Sequence, residues 1–242
     1  MTCAVPPVLD HSVPRTQFRE QVWRAHHAVG AFQLIGHGLP NRVVFRAFQG
    51  SLPQQAEVGG DGDASHKTSC LLAGARHSSG LLPDLTLPAF AAVEAYFQRL
   101  LLLADSLLED FAAIQEVRTG GCRWRGLYGD GERFVALRGL AYYPAGGELR
   151  VTTAQPHTDA TWITLLQQDD VGGLQVRSRE GDWLDVPPIE DALVVNTGNV
   201  LASHSAGLFP AVCHRVIRVS SVRTRASMAL FYDRNGSSTR GC

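Results

Sequence analysis

The chain has 242 residues, 45% of them hydrophobic, which is long enough for one large domain with a buried core. Its 22 Lys and Arg residues nearly balance 23 Asp and Glu residues, with no basic block, which argues against a nucleic-acid partner. No run reaches about 18 apolar residues and the N-terminus lacks a signal-peptide pattern, so we expect no membrane association and a cytoplasmic location. The five cysteines are scattered without a CxxC pair, which argues against a disulfide framework or a thiolate zinc site.

The first half of the chain has helical patterning. Residues 15–30 carry apolar positions on one helical face, with Gly30 as a C-terminal cap, and the strand "AFQLI" follows. Residues 57–69 are rich in Gly, Asp and Ser and predict a loop or a mobile lid. Residues 88–116 predict one long amphipathic helix with Thr86 as N-cap. This helix could form a coiled-coil dimer, but we interpret it as a scaffold behind a sheet and expect a monomer or weak dimer.

After Arg133 the chain changes to seven or eight short strands, separated by turn residues about every ten positions. Strands and helices do not alternate in this region, so the pattern does not indicate a parallel sheet. This pattern is typical of an antiparallel sandwich, barrel or jelly roll. We therefore expect a single domain over residues 1–242, with a mostly helical part at 1–132 and a strand-rich core at 133–234.

A histidine and an aspartate stand two positions apart in "QPHTDATW", at His157 and Asp159. If both lie on a strand, alternation sends them to the same face. His214, in "AVCHRVIRV", comes late in the same region, where a jelly roll can bring early and late strands together. Two imidazoles and one carboxylate on one face of a metal are the ligands of non-haem Fe(II) oxygenases, whereas a structural zinc site needs a fourth ligand. Taken singly, each residue could instead be an ordinary hydrogen-bonded side chain.

The segment from "PHTDATWITLL" through "AVCHRV" to "RASMALFYD" resembles the isopenicillin N synthase-like class of 2-oxoglutarate and Fe(II)-dependent oxygenases. The segments "VPPVLD" and "VGAFQLIGHGLP" resemble the family's opening strand and its turn. The resemblance implies a mainly β fold with flanking helices around a double-stranded β-helix, a jelly-roll or cupin-like core. It also implies that His157, Asp159 and His214 bind iron, and that His37 is a structural turn residue.

The resemblance extends to the co-substrate. The family's Arg-x-Ser motif falls on Arg225 and Ser227, and the tyrosine of its "YYP" segment falls on Tyr143. A guanidinium can pair bidentately with a carboxylate, and hydroxyl groups can complete the site. Arg223 is a rival two residues away, but it lacks a serine at the right offset. No lysine is expected to compete, since Lys67 is the only lysine in the chain.

The sequence says less about the substrate. Arg123 and Arg125 precede the "YYP" strand and could bind an anionic group such as a carboxylate of an amino-acid derivative, although a solvated loop is the alternative. Trp162 and Phe231 could line the pocket, or could equally be core aromatics.

The resemblance thus implies an oxidoreductase that uses iron, dioxygen and 2-oxoglutarate to oxidise a small molecule by hydroxylation, desaturation or cyclisation. Two other functions stay open. One is an iron oxidase of the isopenicillin N synthase or ACC oxidase kind, which does not use 2-oxoglutarate. The other is a non-catalytic jelly-roll binding protein with a vestigial triad.

Overall fold

A computed structural model of the protein describes residues 5–52, 67–74, 87–121, 133–144 and 149–234. Its helices are α1 (Arg15–Ala28), α2 (Asn41–Ser51), α3 (Leu87–Thr119) and α4 (Asn199–His204). Its strands are β1 (Val8–Asp10), β2 (Ala31–Ile35), β3 (Lys67–Gly74), β4 (Arg133–Tyr142), β5 (Thr152–His157), β6 (Ile163–Gln168), β7 (Leu174–Arg177), β8 (Trp183–Asp185), β9 (Leu193–Thr197), β10 (His214–Ile217) and β11 (Arg225–Arg234).

The strands form two sheets. The larger sheet has seven strands in the order β1-β2-β9-β6-β11-β4-β3, and the smaller has four in the order β5-β10-β7-β8. All pairs are antiparallel except β1 with β2. Apolar side chains of both sheets, among them Tyr142, Val194, Leu174 and Val216, meet in one inner cluster. The sheets therefore face each other as a double-stranded β-helix, which confirms the predicted mainly β fold with flanking helices.

Alternation along the strands gives the large sheet two different faces. On β11, even-numbered residues such as Met228 and Leu230 pack in the main core, while odd-numbered residues line a cavity between the sheets. On β6, Ile163 and Leu165 face the main core, and Thr164 faces the cavity. One face of the sheet thus supplies the core, and the other is free to carry polar groups.

Helix α3 covers the outer face of the large sheet, where it contacts α1, α2, β3, β6 and β11. The apolar side chains that recur at steps of three and four along this helix are buried wherever the structure describes them, at Val93, Phe97, Leu100, Ala104, Leu107 and Phe111. Because these side chains pack inside the molecule, they form no coiled-coil seam, and the scaffold interpretation is confirmed. Its proposed N-cap, Thr86, lies outside the described residues.

The remaining elements predicted from the sequence are α1, β2 and the loop at 57–69. Helix α1 and strand β2 form where they were predicted, and Gly30 follows α1 with a positive φ of 90°. The predicted loop at 57–69 is wrong at its end, because Lys67–Gly74 pair with β4 as an edge strand. The rest of that loop lies outside the described residues. Strands from both halves of the chain share the large sheet, although the single domain stays a prediction.

None of the described helices is long and apolar enough to cross a membrane. Among the described residues, Cys213 is a free, half-buried thiol.

His26 on α1 is a fully buried histidine, with its ring edge-on to Phe111 and Phe209. Burial lowers its pKa to about 3 from the usual 6.5. At a pH between these two pKa values, His26 is protonated in the unfolded chain and neutral in the folded chain. The free energy of unfolding should therefore fall as the pH drops below 6.5, by up to about 1.4 kcal/mol per pH unit.

This pH dependence can be measured by urea unfolding at pH 7 and pH 5. We expect the His26→Gln variant to lose stability less steeply than the wild-type protein over this range. The control is His27→Gln, because His27 is the exposed neighbour on the same helix. Equal slopes for the wild-type and His26→Gln proteins would contradict the prediction.

Candidate metal centre and its cavity

The structure brings His157, Asp159 and His214 together on the lining of the cavity. His157 ends β5 and His214 begins β10, and the two residues are direct partners in the antiparallel pair. The Nε2 atom of His214 lies 3.7 Å from Asp159 Oδ1, and that of His157 lies 4.0 Å from the same oxygen. One ligand atom from each of the three side chains fits within 4.8 Å of the others. The predicted triad is therefore a compact cluster.

Strand alternation, which was predicted to bring His157 and Asp159 together, does not do so. Strand β5 ends at His157, so Asp159 lies in the following loop and not on the same strand face. The backbone amide of Asn199 donates to Asp159 O at 2.8 Å. At Gly198, an added Cβ would lie 2.2 Å from Thr161 O and 2.8 Å from Asp159 O. The loop is thus held by a close approach that only glycine permits, and not by strand alternation.

The two imidazoles are fixed through their Nδ1 atoms. His157 Nδ1 lies 2.7 Å from Gln155 O, and His214 Nδ1 lies 3.1 Å from Val212 O. Because a carbonyl only accepts, both Nδ1 atoms carry the proton, which leaves each Nε2 lone pair for a metal. Burial also lowers the pKa of His214, which favours the neutral form that binds metal ions.

The carboxylate of Asp159 is fixed in the same way. It is 4% exposed, and its Oδ2 accepts hydrogen bonds from Thr164 Oγ1 at 2.6 Å and Asn196 Nδ2 at 3.0 Å. Its Oδ1 is the oxygen that faces both histidines. Sequence reasoning missed Thr164 and Asn196, although both stand at inward-facing positions of β6 and β9.

We expect the near-isosteric changes Thr164→Val and Asn196→Leu each to weaken metal binding by about 10- to 100-fold, because they free the carboxylate to rotate. Competition with a fluorescent zinc chelator would measure the affinity. Thr153→Val is the control, since the Thr153 hydroxyl bonds to Val216 O and does not reach Asp159. Unchanged affinity in both variants would show that the two side chains do not position Asp159.

The donor set fits Fe(II) chemistry. It offers two imidazole nitrogens and one carboxylate oxygen, and no fourth His, Cys, Asp or Glu of the described residues joins this cluster. Such a set on one side of an octahedral ion leaves positions for other ligands, whereas a structural zinc site is closed by four protein ligands. The His157 side chain is 49% exposed, so the centre is reached from outside.

A cavity of about 480 Å³ extends from the triad between the two sheets, and Arg225 and Ser227 of β11 lie on its wall. Arg225 is only 4% exposed. Its Nε donates to Gly172 O at 2.8 Å and its Nη1 to Ser227 Oγ at 3.1 Å, but its Nη2 has no hydrogen-bond partner among the described residues. A buried donor without a partner is costly. The cavity therefore presents a fixed cation with one free donor.

Arg223, Tyr142 and Tyr143 lie near Arg225, and their positions show which of them could help to bind a carboxylate in the main cavity. Arg223 is exposed and pairs with Asp170 at 2.5 Å, so the rival arginine forms a surface ion pair. Tyr142 lines the main cavity, and its ring centre lies 5.1 Å from the Arg225 guanidinium. Tyr143 lies beside a separate cavity of about 20 Å³, which Arg225 also borders. The role predicted for Tyr143 stays a prediction, and Tyr142 is the tyrosine of the main cavity wall.

The residues predicted to bind substrate fall in different places. Phe231 lines the cavity. Trp162 is 2% exposed, belongs to the main core and stacks near His204 at 4.7 Å, so it is a core aromatic and not a pocket wall. Arg123 and Arg125 lie outside the described residues.

Two other residues identified from the sequence also have defined places. His37 Nε2 lies 2.8 Å from Asp191 O, and His37 Nδ1 accepts from the amide of Leu39, which agrees with its predicted structural role. Lys67 lies on the wall of the main cavity, with its Nζ 5.5 Å from the Tyr142 ring centre. The expectation that no lysine competes near Arg225 is therefore wrong.

Comparison with known proteins agrees with this geometry. The family model of the 2OG-Fe(II) oxygenase superfamily matches residues 135–234. The chain is 31% identical to gibberellin 3-beta-dioxygenase 2 of Arabidopsis thaliana over 229 residues, 84% of this chain and 66% of that protein. It is 39% identical to gibberellin 3-beta-dioxygenase 1 of Pisum sativum over 111 residues, which are 46% of this chain and 29% of that protein. These matches thus span less than two thirds of either relative.

Among solved structures, a full-length Neurospora crassa protein crystallised in complex with alpha-KG superimposes with a TM-score of 0.74 at 25% identity. That superposition covers 98% of this chain and 87% of the Neurospora chain.

Proposed function

Because the chain belongs to the 2OG-Fe(II) oxygenase superfamily, we propose that it is a dioxygenase that uses Fe(II), dioxygen and 2-oxoglutarate to oxidise a small organic molecule. One observation carries the proposal. The same cavity is lined by a three-ligand cluster and by a buried arginine whose Nη2 has no hydrogen-bond partner among the described residues.

The residues of the chain bind and orient the reacting groups. His157 Nε2, His214 Nε2 and Asp159 Oδ1 would hold the iron, and the contacts of His157 Nδ1, His214 Nδ1 and Asp159 Oδ2 keep those three atoms aimed at it. When bound, Fe(II) supplies activation of dioxygen, coupled to oxidative decarboxylation of 2-oxoglutarate to succinate and carbon dioxide. The protein contributes the geometry and the cavity in which the reacting groups meet.

Arg225 would bind the distal carboxylate of 2-oxoglutarate. A carboxylate buried in an apolar cavity requires a cationic partner. Arg225 is held by Gly172 O and the Ser227 hydroxyl, and its Nη2 remains to donate to an anion. Ser227 can turn its own hydroxyl toward the same anion, because a hydroxyl both donates and accepts.

Oxidation of an unactivated C–H bond is the reaction proposed, with hydroxylation as its product. One oxygen atom of dioxygen would enter the substrate and the other would enter succinate, so that atoms balance with the release of one carbon dioxide. Desaturation and ring closure are the alternative outcomes on the same centre, and product analysis by mass spectrometry distinguishes them.

The experiment is to load the metal-free protein with Fe(II) under argon, add 2-oxoglutarate and a library of small molecules, and admit oxygen. We expect succinate to form in proportion to oxygen consumed, and to require Fe(II). Zn(II) should occupy the same ligands and inhibit, because affinity for this donor set does not favour iron and zinc has no redox chemistry. Substrate oxidation without succinate would replace the proposal by an iron oxidase, and failure to bind Fe(II) would support a non-catalytic protein.

A further inference from the structure

The wall of the main cavity carries more positive charge than the co-substrate requires. Besides Arg225, the lining includes Lys67 on β3 and Arg138 on β4. Among the described lining residues the only carboxylate is that of Asp159, a proposed metal ligand. No carboxylate in the described part of the chain pairs with Lys67 or Arg138. Two cations therefore face the cavity without an acidic partner from the described protein.

The strand register locates Arg138 between the metal and the co-substrate end. Thr164, which holds Asp159, is opposite Phe231 on β11, and Arg138 is opposite Ala229, two residues farther along the same strand. Two residues of strand correspond to about 7 Å. Arg225 lies four residues beyond Ala229, about 14 Å away along β11. Along the strand direction, Arg138 thus lies nearer than Arg225 to the row of Thr164, which holds Asp159.

The residue of β11 that lies between Arg138 on β4 and Leu166 on β6 is small. Ala229 separates Arg138 on β4 from Leu166 on β6, so no large side chain of β11 blocks the space above it. Arg138 lines the cavity and is exposed, whereas Arg225 lines it and is buried. Its guanidinium is therefore accessible to a molecule that enters next to the triad.

Lys67 belongs to the other end of this wall. It is opposite Tyr142 in the β3–β4 pair, and Tyr142 is opposite Arg225 in the β4–β11 pair. Both cations lie over the Tyr142 ring, with Nζ at 5.5 Å and the guanidinium carbon at 5.1 Å. Lys67 adds positive charge at the end where the distal carboxylate of 2-oxoglutarate would bind.

The formal charges of the proposed metal, the co-substrate and the lining residues can be added up. A ferrous ion and Arg225 carry three positive charges, and Asp159 and the dicarboxylate carry three negative charges, so these four groups balance each other. Lys67 and Arg138 then add two positive charges to the described part of the lining, and because both side chains are exposed, water solvates them until a ligand binds. A neutral substrate would gain no ion pair from these two cations, whereas an anionic one could pair with them.

We propose that Arg138 binds a carboxylate of the primary substrate, which is therefore a small organic acid. The inference rests on the proposed function and specifies its substrate class. The lining near Arg138 also includes Leu140, Leu166 and Phe231, which suit an apolar body attached to the acid group. Binding at Arg138 would hold that body beside the metal centre, where a C–H bond is oxidised.

The experiment uses pairs of small organic acids and their own primary amides, which differ in charge but hardly in shape. Each pair is titrated by ligand-observed NMR into the full chain loaded with Zn(II) and 2-oxoglutarate, which prevents turnover. We expect at least one acid to bind roughly tenfold or more tightly than its amide, as for a charge-assisted hydrogen bond. Arg138→Gln should abolish this preference and weaken the acid more than it weakens 2-oxoglutarate.

The matched control is Arg24→Gln, because Arg24 is an exposed arginine of α1 outside the cavity, and it should keep the preference for the acid. If no acid binds more tightly than its amide, or if Arg138→Gln keeps the preference, the inference is overturned. Binding of 2-oxoglutarate itself reports on the proposed function separately. A protein that binds 2-oxoglutarate but shows no preference for acids would retain that function and lose only this inference.

Discussion

Replacement of His157, Asp159 or His214 by alanine is expected to abolish turnover and leave a folded protein. Each change removes one of three ligand atoms that lie within 4.8 Å of one another. The ligands lie at a strand end, in a loop and at a strand start, outside both apolar clusters. Their loss should therefore affect the metal and not the core.

Succinate release measures this prediction, with circular dichroism and thermal unfolding as the folding controls. His204→Ala is the matched substitution, because His204 is an exposed histidine of α4 whose Nδ1 bonds to Val200 O. It should retain activity within a few-fold. If any of the three triad variants also retained activity within a few-fold, the ligand assignment would be wrong.

Replacement of Arg225 by alanine is expected to raise the concentration of 2-oxoglutarate needed for half-maximal rate by roughly a hundred- to several-thousand-fold. Loss of one partner of a buried charge pair costs about 3–5 kcal/mol, and that cost corresponds to this range of affinity. Iron binding should remain, because Arg225 lies about six strand residues from the row of Thr164 that supports Asp159.

The control for this variant is Arg223→Ala, two residues away on the surface, where the side chain pairs with exposed Asp170. Surface ion pairs contribute little, so the requirement for 2-oxoglutarate should change less than about fivefold. Lys67→Gln tests the second cation at this end of the cavity, and we expect a smaller loss than for Arg225→Ala because Lys67 is exposed. An Arg225→Ala protein that lost affinity only for the primary substrate would favour the oxidase.

The strands could be predicted from the sequence because their signals are local, whereas the triad was predicted from the resemblance to the oxygenase class. Period-two alternation and turn residues predict β4 and β6–β11. The apolar residues that recur along α3 predict its packing against the sheet. The spacing of His157 and Asp159 indicated a shared site, but the strand ends between them. What holds Asp159 in place is a contact with Gly198 from a distant segment, and no local pattern reports such a contact.

The other differences also arise from tertiary contacts. Lys67 follows a Gly- and Asp-rich segment with loop-like composition, yet it pairs with β4, because an edge strand gains its hydrogen bonds from its neighbour. Trp162 precedes β6, so the alternation of that strand does not determine its direction, and it packs in the main core beside His204 of α4. The hydrogen bonds from Thr164 and Asn196 to Asp159 form because β6 and β9 are neighbours in the sheet, and no local pattern in the sequence reports that pairing.

The most direct test of the central claim is an anaerobic titration of the Fe(II)-loaded protein with 2-oxoglutarate, followed by visible absorption. A keto acid that binds iron through its keto and carboxylate oxygens gives a charge-transfer colour, which neither partner has alone. We predict a saturable visible band in the wild-type protein, with a far higher concentration of 2-oxoglutarate needed in Arg225→Ala. A protein that binds Fe(II) but develops no band at any concentration of 2-oxoglutarate would contradict the account.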